Sequence, residues 1–123
     1  MKNSTEKTIL VVEDDAASCE LFKNFLKAKG IRTIIAENGN EAIEIVKNNP
    51  DIDLVLMDIK LPELDGSSAM IEIKKLRKDL PIIAETAYAL KGDKRKFLSL
   101  GFDDYISKPI KPNKLHTIIS KYT

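Results

Sequence analysis

Ile9-Leu10-Val11-Val12, followed at once by Glu13-Asp14-Asp15, is the stretch whose reading decides the fold. A run of consecutive apolar residues rich in β-branched side chains, with no polar alternate, describes a strand buried on both faces. Strands of that kind belong to parallel sheets, whose crossover connections lay helices over both surfaces. Leu54-Val55-Leu56-Met57 repeats the pattern, and Ile82-Ile83-Ala84 repeats it again. Arg32 to Ala36 and Tyr105 to Ser107 are weaker strand candidates, suited to positions at or near the sheet edges.

Helical patterns lie between these runs. Leu21, Phe22, Phe25 and Leu26 share one face, and Gly30 follows as a stop. Ala42, Ile43 and Val46 mark a second helix after an Asn38-Gly39 turn, closed by Asn49-Pro50. Ala69, Met70, Ile73 and Leu76 mark a third, entered from the Pro62 to Gly66 loop. A fourth runs from about Leu90 to Leu100 and stops at Gly101; a fifth starts near Pro112 and carries Leu115, Ile118 and Ile119. Five successive β-α units predict an α/β fold, a parallel sheet covered on both sides and joined by right-handed crossovers. In such open sheets the working site lies at the carboxyl ends of the strands. The first eight residues are polar and are expected to be loose.

The bulk properties bound the function. The chain has 123 residues, enough for one domain with its own core and too few for two comfortable ones. Hydrophobic residues at 43% and charged residues at 32%, with a net charge of +1, describe a soluble globular chain with no basic stripe for nucleic acid. The apolar runs are strand-sized, and MKNSTEKT has no apolar segment after its first lysine, so neither a membrane span nor a signal peptide is expected. The single cysteine, Cys19, rules out an internal disulfide and favours a reducing, cytoplasmic compartment; its place in a helical pattern with no base beside it reads as packing.

The residues that follow the strands carry the chemistry. Glu13-Asp14-Asp15 ends the first, Asp58 the third, Glu85-Thr86 the fourth, and Lys108-Pro109 follows the fifth. A parallel sheet brings these ends to one rim, so carboxylates, a hydroxyl and an ammonium can converge there. At about 4 Å and an effective dielectric near 20, two carboxylates repel by roughly 4 kcal/mol. Holding them together requires a cation or a shifted proton. All-oxygen donors suit a hard ion, and Mg2+ fits because it takes few carboxylates and keeps positions for water and phosphate. Glu13 and Asp14 would hold it, and Asp58 would offer one oxygen to it and the other as a nucleophile. Lys108 would contact phosphoryl oxygens and Thr86 would donate its hydroxyl to another. Taken singly, each residue has a plainer role: the acidic run as a helix cap, with Asp15 the cap itself, Asp58 as a turn residue, Thr86 as another cap and Lys108 as a surface lysine. Their joint placement at successive strand ends favours the site.

From about Thr8 to Tyr122 the chain resembles the receiver domain of response regulators, the CheY-like fold. ILVVEDD (Ile9 to Asp15) resembles the family's first strand and acidic pair, LVLMDIKLPELDG (Leu54 to Gly66) its phosphoacceptor strand and loop, and ETAYALKGDKRKFLSLGFDDYISKPI (Glu85 to Ile110) the segment from its threonine switch to its Lys-Pro element. The last string is especially similar to receivers attached to hybrid histidine kinases. The resemblance implies a single domain with strand order 2-1-3-4-5 and helices on both faces. It implies that Asp58 accepts phosphate from a phosphohistidine on a kinase or a histidine phosphotransfer protein. It assigns Glu13, Asp14, Asp58 and the backbone carbonyl of Lys60 to Mg2+, Thr86 and Tyr105 to the switch, Lys108 to the phosphoryl group, and a cis peptide to Lys108-Pro109. Family members respond by shifting a pre-existing equilibrium of the face made by helix four, strand five and helix five. Stand-alone relay and excised piece of a hybrid kinase remain open; Met1 and its polar leader favour the former.

Several positions depart from the common pattern. Glu85 stands where an apolar residue is usual, and is expected to turn outward or pair with a lysine. Lys29 replaces an apolar residue at the end of the first helix, which predicts a frayed last turn. Tyr88 and Lys60 flank the acceptor, and crowding of water by Tyr88 with added charge from Lys60 predicts slow dephosphorylation. His116, the only histidine, reads as a surface or interface residue, because phosphotransfer histidines normally sit on helical bundles. Among rival functions, an aspartyl phosphatase would need a second Asp where Lys60 stands, and a flavodoxin-like cofactor binder would need small or hydroxylated residues where the acidic run stands. A pseudo-receiver, binding partners without phosphate, is disfavoured by the full set of matching residues.

Overall fold

The computed structural model describes residues 6–60, 65–87 and 93–123, the side chains of 93 and 94 excepted. Its elements alternate: β1 (Thr8–Val12), α1 (Ala16–Ala28), β2 (Arg32–Ala36), α2 (Gly39–Asn48), β3 (Leu54–Asp58), α3 (Gly66–Leu76), β4 (Ile82–Thr86), α4 (Asp93–Leu100), β5 (Asp104–Ser107) and α5 (Pro112–Tyr122). All neighbouring strands pair in parallel, in the order β2-β1-β3-β4-β5. The buried runs occupy the three central strands, and the two weaker candidates are the edges, because only interior strands need apolar residues on every position.

Strand alternation divides the core into two layers. Leu10, Val12, Val55, Met57, Ile82 and Ala84 face α2, α3 and α4, meeting Val46, Met70 and Phe97. Ile9, Val11, Leu54, Leu56, Ile83 and Ile106 face α1 and α5, meeting Phe22, Leu26, Leu115 and Ile119. Burying each large aliphatic side chain contributes about 1.5–3 kcal/mol.

The helix ends follow local chemistry. Asp15 caps α1 by accepting from the Ser18 N–H at 2.9 Å, and Asp65 caps α3 by accepting from the Ser68 N–H at 2.8 Å. Asn38 is likewise the cap of α2, accepting from the Glu41 N–H at 2.8 Å, so Asn38-Gly39 starts a helix and is not a free turn. The end of α1 is ordered, contrary to the frayed turn expected from Lys29. Gly30 adopts a φ of 73°, its N–H reaches Lys27 O at 3.0 Å and the Ile31 N–H reaches Leu26 O at 2.9 Å. That paired closure satisfies the last carbonyls and brings Ile31 to Leu26, so nothing apolar is needed at Lys29. The strand β1 begins at Thr8, which is buried, one residue inside the stretch expected to be loose.

Two residues assigned to buried helix faces are exposed. Leu21 is 72% exposed, because the buried stripe of α1 runs through Phe22 and Leu26. Leu76 is 43% exposed at the last turn of α3, where the helix leaves the sheet. The expected beginning of the fourth helix at Leu90, the residues 61–64 of the acceptor loop and Tyr88 lie outside the described residues. Among the described residues no helix is long and apolar enough to cross a membrane.

Candidate functional site

The carboxyl ends of β1, β3 and β5 converge, and the sheet explains why. The β1·β2 ladder continues one bond past the strand, Glu13 N–H to Ala36 O at 2.9 Å, which fixes the Glu13 backbone. Glu13 follows Ile9 and Val11 on the face that α1 covers, and Asp58 follows Leu54 and Leu56 on that same face. Lys108 is delivered by one more bond beyond β5, its N–H donating to Thr86 O at 2.7 Å. The Lys108–Pro109 peptide bond is cis.

Lys108 joins the two acids. Its ammonium donates to Glu13 Oε1 and to Asp58 Oδ2, each at 3.1 Å. The remaining oxygens are engaged by backbone: Glu13 Oε2 accepts from the N–H groups of Asp14 and Asp15 at 3.1 and 3.3 Å, and Asp58 Oδ1 accepts from the Lys60 N–H at 2.9 Å. Glu13 and Asp58 are buried while Asp14 is exposed, and one ligand oxygen of each lies within 4.8 Å of the others. Burial, reinforced by Asp58, pushes the Glu13 carboxyl up to about 7 against the pull of Lys108. Burial would lower the Lys108 ammonium, but its bonds to Glu13 and Asp58 outweigh that and raise it. One ammonium among these acids thus leaves the cluster short of positive charge. The donors are all oxygen and the deficit is negative, and both match a hard divalent cation.

Thr86 and Tyr105 belong to the other side. Thr86 follows Ala84 by two residues and Tyr105 pairs with Ala84, so both project toward α4, away from the face of Asp58. Thr86 is buried, and Tyr105 packs against Phe97 with ring centroids 6.2 Å apart. The rim therefore gathers Glu13, Asp14, Asp58 and Lys108 directly, with Thr86 one residue beyond on the opposite face.

Two site residues escaped the sequence. Glu85 does not turn outward: it is fully buried, and among the described residues it pairs with no lysine and neither carboxyl oxygen has a hydrogen-bond partner. Burial, with Glu13 adding repulsion, raises its carboxyl well above the ordinary 4.5. A strand buried on both faces leaves no outward direction, and that was the available signal. Gly66 packs onto the acceptor strand, where an added Cβ would lie 2.5 Å from Asp58 O and 2.7 Å from Ile59 Cα. Cys19 backs the site, its thiol donating to Glu13 O at 3.4 Å; burial and the Glu13 charge push that thiol up, which suits packing and not reactivity. Beside the cluster an apolar groove of about 540 Å³ runs between α1 and α5, with Glu13 and Lys108 at one end and Leu21, Phe25 and Ile110 along it.

Comparison with known proteins gives one consistent result. The family model for the response regulator receiver domain matches residues 9–120. The polar-differentiation response regulator DivK of Brucella anthropi is 40% identical over 121 residues, covering 93% of this chain and 94% of DivK. The hybrid signal transduction histidine kinase I of Dictyostelium discoideum is 38% identical over 120 residues, covering 91% of this chain, which spans only 7% of that kinase. Among solved structures, the receiver domain of a sensor histidine kinase from Pseudomonas aeruginosa PAO1, with magnesium coordinated in its active-site cleft, superposes with a TM-score of 0.86 at 35% identity, covering 96% of this chain and 98% of that one. The receiver domain of Ssk1 from Saccharomyces cerevisiae, crystallised with the histidine phosphotransfer protein Ypd1, gives a TM-score of 0.87 at 31% identity, covering 95% and 88%.

Proposed function

Because the chain belongs to the response regulator receiver domain family of two-component signalling, we propose that it is a phosphoacceptor whose nucleophile is Asp58. The observation that carries this reading is the Lys108 ammonium shared between Glu13 and Asp58 at 3.1 Å each. It sets a cation against the buried carboxylate that ends β3, beside the acidic pair that follows β1. An Asp58 oxygen attacks the phosphorus of a phosphohistidine; the P–N bond breaks, its electron pair stays on the imidazole, and an aspartyl phosphate remains. The donor is a histidine kinase or a histidine phosphotransfer protein, as the co-crystallised pair of a relative suggests.

Glu13, Asp14, Asp58 and the backbone carbonyl of Lys60 would hold Mg2+, in keeping with the magnesium of the Pseudomonas relative. When bound, that ion supplies positive charge to the phosphoryl oxygens during transfer. Lys108 releases Glu13 and Asp58 and binds a phosphoryl oxygen as a point charge. Thr86 turns its hydroxyl to another, and Tyr105, packed on Phe97, moves with it. That movement shifts the face made by α4, β5 and α5 toward the form a downstream protein recognises. The chain acts on its own phosphoryl group and turns over no external substrate.

Backbone amide spectra test the reading. Mg2+ followed by beryllofluoride should shift resonances of the rim and then of α4 and β5 in the wild type. In Asp58→Asn the beryllofluoride step should vanish. A wild-type spectrum indifferent to both additions would select the pseudo-receiver instead.

A further inference from the structure

Glu85 is the anomaly of the interior. An apolar side chain would complete β4 there without loss, yet the position holds a fully buried carboxyl whose two oxygens have no partner among the described residues. Such burial is costly, and its location suggests what it is for. In the sheet Glu85 stands opposite Asp58 on β3 and Ile106 on β5. Its side chain follows Ile83 onto the face that carries Glu13 and Asp58. Lys108 lies two residues beyond Ile106 and attracts the Glu85 carboxyl, although its ammonium is held by Glu13 and Asp58.

That arrangement contains a competition. The ammonium holds one oxygen on each of two carboxylates that a divalent cation would need, and the two cations repel each other across them. A displaced ammonium on a side chain only 27% exposed needs a new acceptor. Glu13, Asp14 and Asp58 are committed to the ion, and among the described residues Glu85 is the remaining buried carboxyl on this face, with no partner on either oxygen.

We propose that Glu85 is a positioning residue that receives the Lys108 ammonium when a divalent cation takes over Glu13 and Asp58. The proposal rests on the metal-binding reading above. Glu85 thereby makes displacement of Lys108 easy, and keeps the ammonium close enough to return to a phosphoryl oxygen on Asp58.

A double-mutant cycle on Mg2+ affinity tests it, read by calorimetry and by the Lys108 Cε resonance. The expected result is that Glu85→Leu weakens Mg2+ binding by about fivefold, the loss of one charge-assisted hydrogen bond in the bound state. Glu85→Gln, which keeps an acceptor oxygen of the same shape, falls between. In a Lys108→Met background there is no ammonium to rehouse, so Glu85→Leu should then change the affinity by less than about twofold. The Lys108 Cε resonance should shift with Mg2+ in the wild type and shift differently in Glu85→Leu. Equal Mg2+ affinity in the wild type and both Glu85 variants would overturn the proposal. So would a loss that persists undiminished in Lys108→Met, since it would then act through the field alone. A wild type that takes up no Mg2+ overturns the metal-binding reading itself, which separates that failure from this one.

Discussion

Replacing Glu85 by leucine should make the protein more stable, and more so as the pH rises. Two buried oxygens with no partner among the described residues cost about 1–3 kcal/mol. A leucine at the same depth, among Leu56, Ile83 and Ile106, adds an apolar gain of similar size. The sum is about 2–6 kcal/mol near neutral pH, or on the order of 15 °C in Tm for a domain of this length. The pH dependence follows from the raised carboxyl. The folded chain keeps a proton on Glu85 that the unfolded chain releases above its ordinary 4.5. Stability therefore falls as pH climbs from 4.5 through the higher folded value, and the penalty is complete only above it. The gap between variant and wild type should be narrowest near pH 4.5 and widest at alkaline pH. Urea denaturation without divalent cations, at both extremes, measures it. A variant less stable than the wild type, or a gap that does not change with pH, would refute the reasoning. Since Glu85 also serves the metal-bound state, the gain in stability should accompany the weaker Mg2+ binding described above.

Two more outcomes follow from the same geometry. Gly66→Ala places a Cβ 2.5 Å from Asp58 O, so the acceptor strand or α3 must shift; the expected cost is about 1–3 kcal/mol in denaturation together with weaker Mg2+ binding, and an unchanged stability would show that strand and helix move apart freely. The Glu13 carboxyl, held up to about 7, must be ionised to serve a cation. Mg2+ affinity should therefore climb as pH rises through 7 and level off above it, with proton release on binding detectable in buffers of different ionisation enthalpy; a flat profile from pH 6 to 8 would contradict the assignment.

Much of the fold is legible in the sequence because the sheet imposes it. Runs such as Ile9 to Val12 and Leu54 to Met57 are apolar at every position only in strands covered on both faces, and the mixed composition of Arg32 to Ala36 marks an edge. Once the strands are parallel, their carboxyl ends must share a rim, so Glu13, Asp58 and Lys108 come together before any coordinate is known. What the sequence hides is direction. In α1, Leu21 and Phe22 are equally apolar, and only the position of the sheet decides that Phe22 is buried while Leu21 faces the groove. Thr86 shares the rim but alternates to the opposite face from Glu85. Glu85 looks like a residue that should escape to water, yet register puts it between Asp58 and Ile106 with no route out. Gly66 is one glycine of a loop until the approach of Asp58 O shows why nothing larger fits.

The central claim, that Asp58 accepts a phosphoryl group in a Mg2+-dependent reaction, is tested most directly by intact mass. The wild type and Asp58→Asn would be incubated with a small phosphodonor, with and without Mg2+. The account predicts a single phosphoryl adduct on the wild type, absent without Mg2+ and absent in the variant. An adduct of equal size on Asp58→Asn, or on the wild type without the ion, would contradict it.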